Sequence, residues 1–280
     1  MGTGLFAQLP ISNIYMFSYV DNGENINLTD PVLLTTFNAE GYNNQPSFIS
    51  PNEVYIVSNT YENDFTDIIK LDLQAEELYR VTATNGISEF SPNQNAVKDY
   101  FSCVRIEADG KTQSFWLYPK DHSNSGKRIL ETFDNIAYYQ WLSGGKVAFS
   151  TVNDDQLDLH IGDFNTGKSK LVIENIGRCL KIDNEGLLWF VHKITETSWQ
   201  LKTYDFINHK MQFIASTRPG KEDFEILSDG SILMGEGSKL FLLKPKENLW
   251  NEIDDLVDFG IENITRLAHS RNKLILVSTK

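Results

Sequence analysis

A short polar turn placed between two apolar strands recurs six times along this chain of 280 residues. When each copy is anchored on the first apolar residue after its turn, successive anchors lie about 41 to 47 residues apart. The anchors are Val54, Phe101, Val147, Leu188, Ile232 and Leu274. A period in this range is typical of four-stranded propeller blades. The repeat therefore predicts an all-β fold, a six-bladed β-propeller.

Each anchor also begins a strand that is followed by a further apolar strand and a polar turn, as in DIIKLDLQAEEL and LKTYDFINHK. A copy thus consists of an inner hairpin, a third strand and a fourth strand. The last copy has only its two inner strands, ITRLAHS and NKLILVS. Residues 13–37 match the two outer strands of a copy, and no inner hairpin precedes them. We predict that these two parts form one composite blade, which closes the ring and covers two sheet edges.

Two local patterns add detail to this prediction. In the first copy, ISPNEVYIVS, Val54 and Ile56 alternate with Tyr55 and Val57 along the strand. We interpret this alternation as that of a half-buried strand. The segment WNEIDDLVDFGIEN, residues 250–263, comes nearest to a helical pattern, and we interpret it as a strand followed by a loop between blades. Residues 13–280 are therefore predicted to form a single propeller domain.

Residues 1–12 are interpreted separately, as a signal-peptide remnant or a disordered N-terminus. The small and apolar residues that end at Ala7 are similar to the tail of a secretory signal peptide whose charged and hydrophobic parts are missing. This interpretation predicts an exported protein, either periplasmic or extracellular.

The charge balance argues against two classes of partner. The 38 acidic and 25 basic residues give a formal net charge of −13, which repels nucleic-acid phosphates and anionic membranes. The sequence has no apolar run long enough for a membrane span, so neither nucleic acid binding nor membrane insertion is expected. Cys103 and Cys179 have no zinc or redox spacing and lie in different repeats, and we expect two free buried thiols.

The turn residues Ser50-Pro51-Asn52-Glu53, Ser228-Asp229-Gly230 and Ser270-Arg271-Asn272 resemble the Ser-Pro-Asp-Gly turn of TolB-type six-bladed propellers. Residues 95–98 depart from that turn. The stretch EFSPNQNAVKDYFSCVRIEADGKTQSFWLYP is also similar to the second blade of a family of exported bacterial propellers. The resemblance implies a secreted or periplasmic scaffold, and it carries over no catalytic residues.

Catalytic and metal-binding patterns are weak. The five histidines are scattered without the spacing of a metal site, and GEGSKL does not form a nucleophile elbow. The acidic run VNDDQLDLHIGDF lacks the D-x-D-x-D-G pattern of a calcium loop. We therefore favour a non-catalytic binding or scaffold protein without a cofactor, while an accessory propeller of a peptidase stays open.

An enzymatic alternative rests on IDNEGLLWF, which is similar to the repeat of gluconolactonase-like propellers. That resemblance implies a metal-dependent hydrolase that holds Ca²⁺ or another divalent cation in the central channel. A Gly turn followed by Leu-Trp suits any blade hairpin, so the motif alone does not decide between an enzyme and a binding protein.

The inner strands of a propeller begin at one mouth of its channel, and six polar or aromatic residues are predicted to meet there. They are Gln45, Glu89, Tyr138, Arg178, Asp223 and Arg266. One hypothesis is that the two arginines bind a carboxylate of a protein or small anionic ligand. The other is that the ring residues pair with one another. We expect the protein to be a monomer.

Overall fold

In a computed structural model, the described part of the chain comprises residues 9–21, 26–62, 64–94, 99–121 and 124–280. Its strands, in chain order, are β1 (Ser12–Asp21), β2 (Ile26–Leu33), β3 (Asn43–Ser50), β4 (Glu53–Ser58), β5 (Asp67–Asp72), β6 (Glu77–Arg80), β7 (Ser88–Gln94), β8 (Tyr100–Ile106), β9 (Gln113–Pro119), β10 (Lys127–Ile129), β11 (Ile136–Trp141), β12 (Lys146–Asn153), β13 (Gln156–Asp163), β14 (Ser169–Ile173), β15 (Ile176–Ile182), β16 (Leu188–Lys193), β17 (Trp199–Asp205), β18 (Lys210–Ser216), β19 (Phe224–Ile226), β20 (Ile232–Glu236), β21 (Lys239–Leu243), β22 (Asn251–Asp255), β23 (Ile264–Ser270) and β24 (Lys273–Thr279).

The strands form six four-stranded antiparallel sheets, the blades of a six-bladed β-propeller. Blades 1 to 5 consist of β3–β6, β7–β10, β11–β14, β15–β18 and β19–β22, each with its first strand innermost. Blade 6 has the order β23-β24-β1-β2, so the N-terminal strands pair with the C-terminal hairpin. The predicted fold class and the composite closing blade are both confirmed.

Packing between blades accounts for the strand sequences. Six apolar clusters, one between each pair of adjacent blades, hold the ring together. In β4, Val54 and Ile56 pack toward blade 6, while Tyr55 and Val57 pack toward blade 2. All four side chains are buried, so the expectation of a half-buried strand is wrong. A middle strand is covered on both faces by neighbouring blades, which favours a continuous apolar run over strict alternation.

Several other sequence predictions can be checked against the strand bounds. Every repeat anchor is the first or second residue of the second strand of its blade. Residues 250–263 form β22, a 3₁₀ turn at Val257–Phe259 and a loop, as predicted. None of the helical segments in the described ranges has the length and apolar character needed to cross a bilayer. Residues 1–8 and the turn at residues 95–98 lie outside the described residues.

Candidate functional site

Irregular pairing at the start of the inner strands shapes the channel mouth. Five of the six inner hairpins break register there, for example between Asn44 and Ser47 and between Ile176 and Leu180. Such β-bulges change the direction of the side chains that they contain. Gln45, in the first of these bulges, has a left-handed backbone with φ of 52°. The bulges thus turn residues near the strand starts toward the channel.

Two arginines converge on one carboxylate at this mouth. Arg178 of β15 binds Asp223 through both Nε and Nη2, with Nε 3.0 Å from Oδ2. Nη1 of Arg266 in β23 lies 2.9 Å from Oδ1 of the same aspartate. Burial disfavours the charged form of Arg266, but Asp223 outweighs this effect and raises its pKa. The aspartate, placed just before β19, therefore links blades 4, 5 and 6.

Two further charged residues, which the sequence analysis missed, extend this network. Glu222 accepts a hydrogen bond from the backbone N–H of Arg178 at 3.3 Å, and Nζ of Lys193 lies 2.7 Å from its Oε2. Gly177 permits this approach, because a Cβ atom there would lie 2.9 Å from the Cβ of Glu222. The adjacent carboxylates in KEDFEI were the available signal for Glu222. We call Arg266, Asp223, Arg178, Glu222 and Lys193 the mouth charge chain.

Two cavities adjoin the mouth charge chain. The channel cavity, of about 120 Å³, lies along the inner strands and includes Arg178, Asp223 and Arg266 in its lining. The side cavity, of about 480 Å³, is lined mainly by residues of blades 2, 3 and 4, and its lining includes Arg178, Lys193 and Glu222. Charged groups at the channel are thus continuous with a larger and partly apolar space.

Two uncharged residues of the predicted site also reach the mouth. Gln45 and Tyr138 line both cavities. The amide oxygen of Gln45 accepts a hydrogen bond from the backbone N–H of Ser91 at 2.6 Å, which ties blade 1 to blade 2. The guanidinium carbon of Arg266 lies 5.2 Å from the ring centroid of Tyr138, within cation–π range. The structure therefore brings together five of the six predicted site residues.

Glu89 is the exception. Its side chain is fully buried between blades 1 and 2, where it accepts a hydrogen bond from Thr82 Oγ1 at 3.2 Å, and it lines neither cavity. Burial raises the pKa of Glu89 to about 7. Ser91 and Pro92, two and three residues further along β7, line the channel cavity instead. The predicted position of Glu89 at the mouth does not agree with this placement.

The acidic groups at the mouth are already engaged by cations. Asp223 binds two arginines, and Glu222 binds Lys193 and pairs with Arg178. Within the described ranges, no three or more His, Cys, Asp or Glu side chains are grouped so that they could hold a metal ion. These carboxylates therefore serve as partners of the arginines and the lysine at the mouth.

The sequence matches no protein-family model and no curated protein. Solved structures do share the fold. A candidate TolB from Agrobacterium tumefaciens is similar at 11% identity and a TM-score of 0.69, over 97% of this chain and 99% of that one. TolB from Acinetobacter baumannii gives 14% identity and a TM-score of 0.62 over 95% of this chain, which spans 64% of the length of that protein.

A third similar structure comes from a nidogen/laminin complex, with 10% identity and a TM-score of 0.63, over 95% of this chain and 98% of that one. Identities this low show a shared architecture and leave the ligand open. The chain has the six-bladed β-propeller fold of the TolB type.

Proposed function

We propose that the protein is a non-catalytic binding propeller that takes a carboxylate of a protein or small anionic ligand at the channel mouth. The mouth charge chain is the observation that carries this proposal. It contains three cations and two carboxylates, so it leaves a positive excess in a protein whose formal net charge is −13. An acidic ligand is repelled by most of the surface and attracted at this point.

The arginines keep donor groups available for such a ligand. A guanidinium has five N–H donors in a planar fork. The bonds to Asp223 use Nη1 of Arg266 and the Nε and Nη2 atoms of Arg178. A carboxylate entering the channel cavity can accept from the remaining N–H groups, and each such charge-assisted bond contributes about 1.5 to 3 kcal/mol. The pairing with Asp223 preorganises both guanidiniums and lowers the entropic cost of binding.

A known structure with this fold supports binding of a protein partner. The nidogen/laminin structure is a complex, so a propeller of similar architecture is present in an assembly with another protein. We further propose that this chain is exported and monomeric and needs no cofactor. Cell fractionation of its source and light scattering of the purified protein test the first two points.

No observation favours the lactonase alternative over this function. The carboxylates that face the mouth are occupied by Arg178, Arg266 and Lys193, and a divalent cation would have to displace those side chains. Isothermal titration with Ca²⁺ checks this point. A stoichiometric site that disappears in Asp223→Asn would favour the metal-dependent alternative.

The binding proposal is tested with fluorescein-labelled random tripeptides, prepared once with a free C-terminal carboxylate and once as amides. We expect the acid pool to bind more tightly than the amide pool, and Arg266→Gln to remove most of the difference. Lys210→Gln is the control, because it removes the same charge from the exposed start of β18. Equal binding of acids and amides, or equal affinities of the two variants, would show that the mouth does not recognise carboxylates.

A further inference from the structure

The side cavity adds apolar walls to the charged groups of the mouth, since Arg178, Lys193 and Glu222 also line it. Its walls between blades 2 and 3 include Phe90, Ile106, Ala137, Val152 and Leu157. Its volume of about 480 Å³ lies within the range of small-ligand sites. Arg178 lines both cavities, so the guanidinium stands where the apolar walls meet the channel. A ligand that reaches both spaces must carry an acidic group next to an apolar one.

Amide groups add a third kind of contact. The side cavity is also lined by Gln113 and Gln156. Gln113 lies at the start of β9, and Gln156 lies at the start of β13, so they border the cavity from two different blades. Side-chain amides supply both donors and acceptors, as the backbone of an extended peptide requires. Apolar walls, amides and a guanidinium together match the end of a peptide better than a simple organic acid.

We propose that the side cavity is a subsite for the last side chain of a peptide, so that the ligand is a protein C-terminus that ends in a large apolar residue. This inference rests on the proposed function, because the terminal carboxylate is the group that the mouth arginines bind. The penultimate backbone groups then lie beside the cavity amides.

Two features of the cavity sharpen the expected specificity. Tyr42 also lines it and is buried, so the cavity wall carries an uncharged phenol there. Asp155, an exposed carboxylate in the turn before β13, borders the same space. An acidic last side chain would lose the apolar contacts, and repulsion from Asp155 and Glu222 would offset its attraction to Lys193. We therefore expect discrimination against peptides that end in Asp or Glu.

The test uses a fluorescein-labelled Gly-Ser-Gly-Ser peptide extended by one last residue, which is Gly, Ala, Leu, Phe or Glu, each prepared as an acid and as an amide. Fluorescence polarisation gives the Kd of each peptide. We expect the Leu and Phe acids to bind roughly 10- to 100-fold more tightly than the Gly acid, because a large apolar side chain leaves water. The Glu acid should bind no better than the Gly acid.

A variant that fills the cavity provides the structural check. Ala137 lies on β11 next to Tyr138, and Ala137→Trp places an indole in the side cavity. We expect this change to lower the affinity for the Phe acid to that for the Gly acid. Lys170→Trp on the exposed strand β14 is the control for an added indole. If Ala137→Trp does not fold, as judged by its melting transition, the wild-type peptide series decides the question alone.

The outcomes distinguish a failure of this inference from a failure of the proposed carboxylate binding on which it rests. If acids and amides bind equally for every last residue, the carboxylate site itself is wrong. If acids bind better than amides but Gly, Leu and Phe bind alike, the carboxylate site stands and the apolar subsite is overturned. If free phenylalanine binds as tightly as the Phe-ended peptide, the ligand is an amino acid, and the assignment to a protein C-terminus is wrong.

Discussion

The Nη1 atom of Arg266 lies 2.9 Å from Oδ1 of Asp223, joining blade 6 to blade 5 at the channel mouth. The same aspartate binds Arg178 of blade 4, so one carboxylate holds two guanidiniums that would otherwise repel each other. Of the two hypotheses drawn from the sequence, pairing within the ring is therefore realised. It is compatible with ligand binding, because the pairing leaves a net positive charge at the mouth.

We predict that Asp223→Ala lowers the free energy of unfolding by about 2 to 3 kcal/mol, because it leaves two neighbouring guanidiniums without their shared partner. This is less than the ~3 to 5 kcal/mol typical of a fully buried pair, since about a third of the Arg178 side chain is exposed. Urea denaturation measures the change. Glu252→Ala, which removes an exposed partner of Lys239, is the control and should cost at most about 1 kcal/mol. Equal losses in the two variants would show that the shared carboxylate contributes little to stability.

The second prediction concerns pH and Glu89. Burial raises the pKa of this carboxyl to about 7, well above the value of 4.5 expected when the chain is unfolded. The folded state therefore holds the proton more tightly. The resulting stabilisation is complete below pH 4.5 and is lost as the pH rises through 7.

Glu89→Gln removes this titration. We expect the free energy of unfolding of the wild type, relative to that of the variant, to fall by about 3 kcal/mol between pH 4.5 and pH 8. Urea denaturation at several pH values measures the difference. A constant difference across this range would mean that Glu89 titrates normally in the folded protein.

The fold could be predicted from the sequence because its repeat is local. Each blade hairpin needs a turn between two apolar strands, and this need fixes the anchor positions within one residue of the observed strand starts. The composite blade followed from counting strands, because the N-terminal outer pair and the C-terminal inner pair together supply the four strands of one blade. Burial of β4 on both faces was missed, because alternation within one strand does not reveal a second covering blade.

The candidate site was predictable only in part. Five residues fall 8 to 10 positions before their anchors, whereas Glu89 falls 12 positions before Phe101. Ser91 and Pro92 occupy the equivalent place in the bulge of β7. The contacts of Glu222 with Lys193 and Arg178 join residues about 30 to 45 positions apart, and no local pattern signals such a pairing.

The third prediction is that both thiols are free and unreactive in the folded protein. Cys103 and Cys179 are buried, free cysteines in blades 2 and 4, and they form no disulfide with each other. Burial raises the pKa of Cys179 to about 11 and raises the pKa of Cys103 well above its usual value, so almost no thiolate is present at pH 8. Titration with a thiol reagent should find two thiols per chain in denaturant without a reductant, and very slow labelling in buffer. Finding no free thiol in the denatured monomer would contradict the structure.

The last prediction tests closure of the ring by β1. This strand carries a buried side chain and an exposed side chain only three residues apart, and the two can be compared. Phe17 is fully buried against blade 5 and lies opposite Leu274 of the C-terminal hairpin, whereas Val20 is 59% exposed. Phe17→Ala should lower the free energy of unfolding by about 3 to 5 kcal/mol, because it leaves a cavity between blades 5 and 6. Val20→Ala should change it by no more than about 0.5 kcal/mol. Urea denaturation of both variants measures the contrast. Similar, small effects would mean that the N-terminal strand does not contribute to the closed ring, and the composite blade would be wrong.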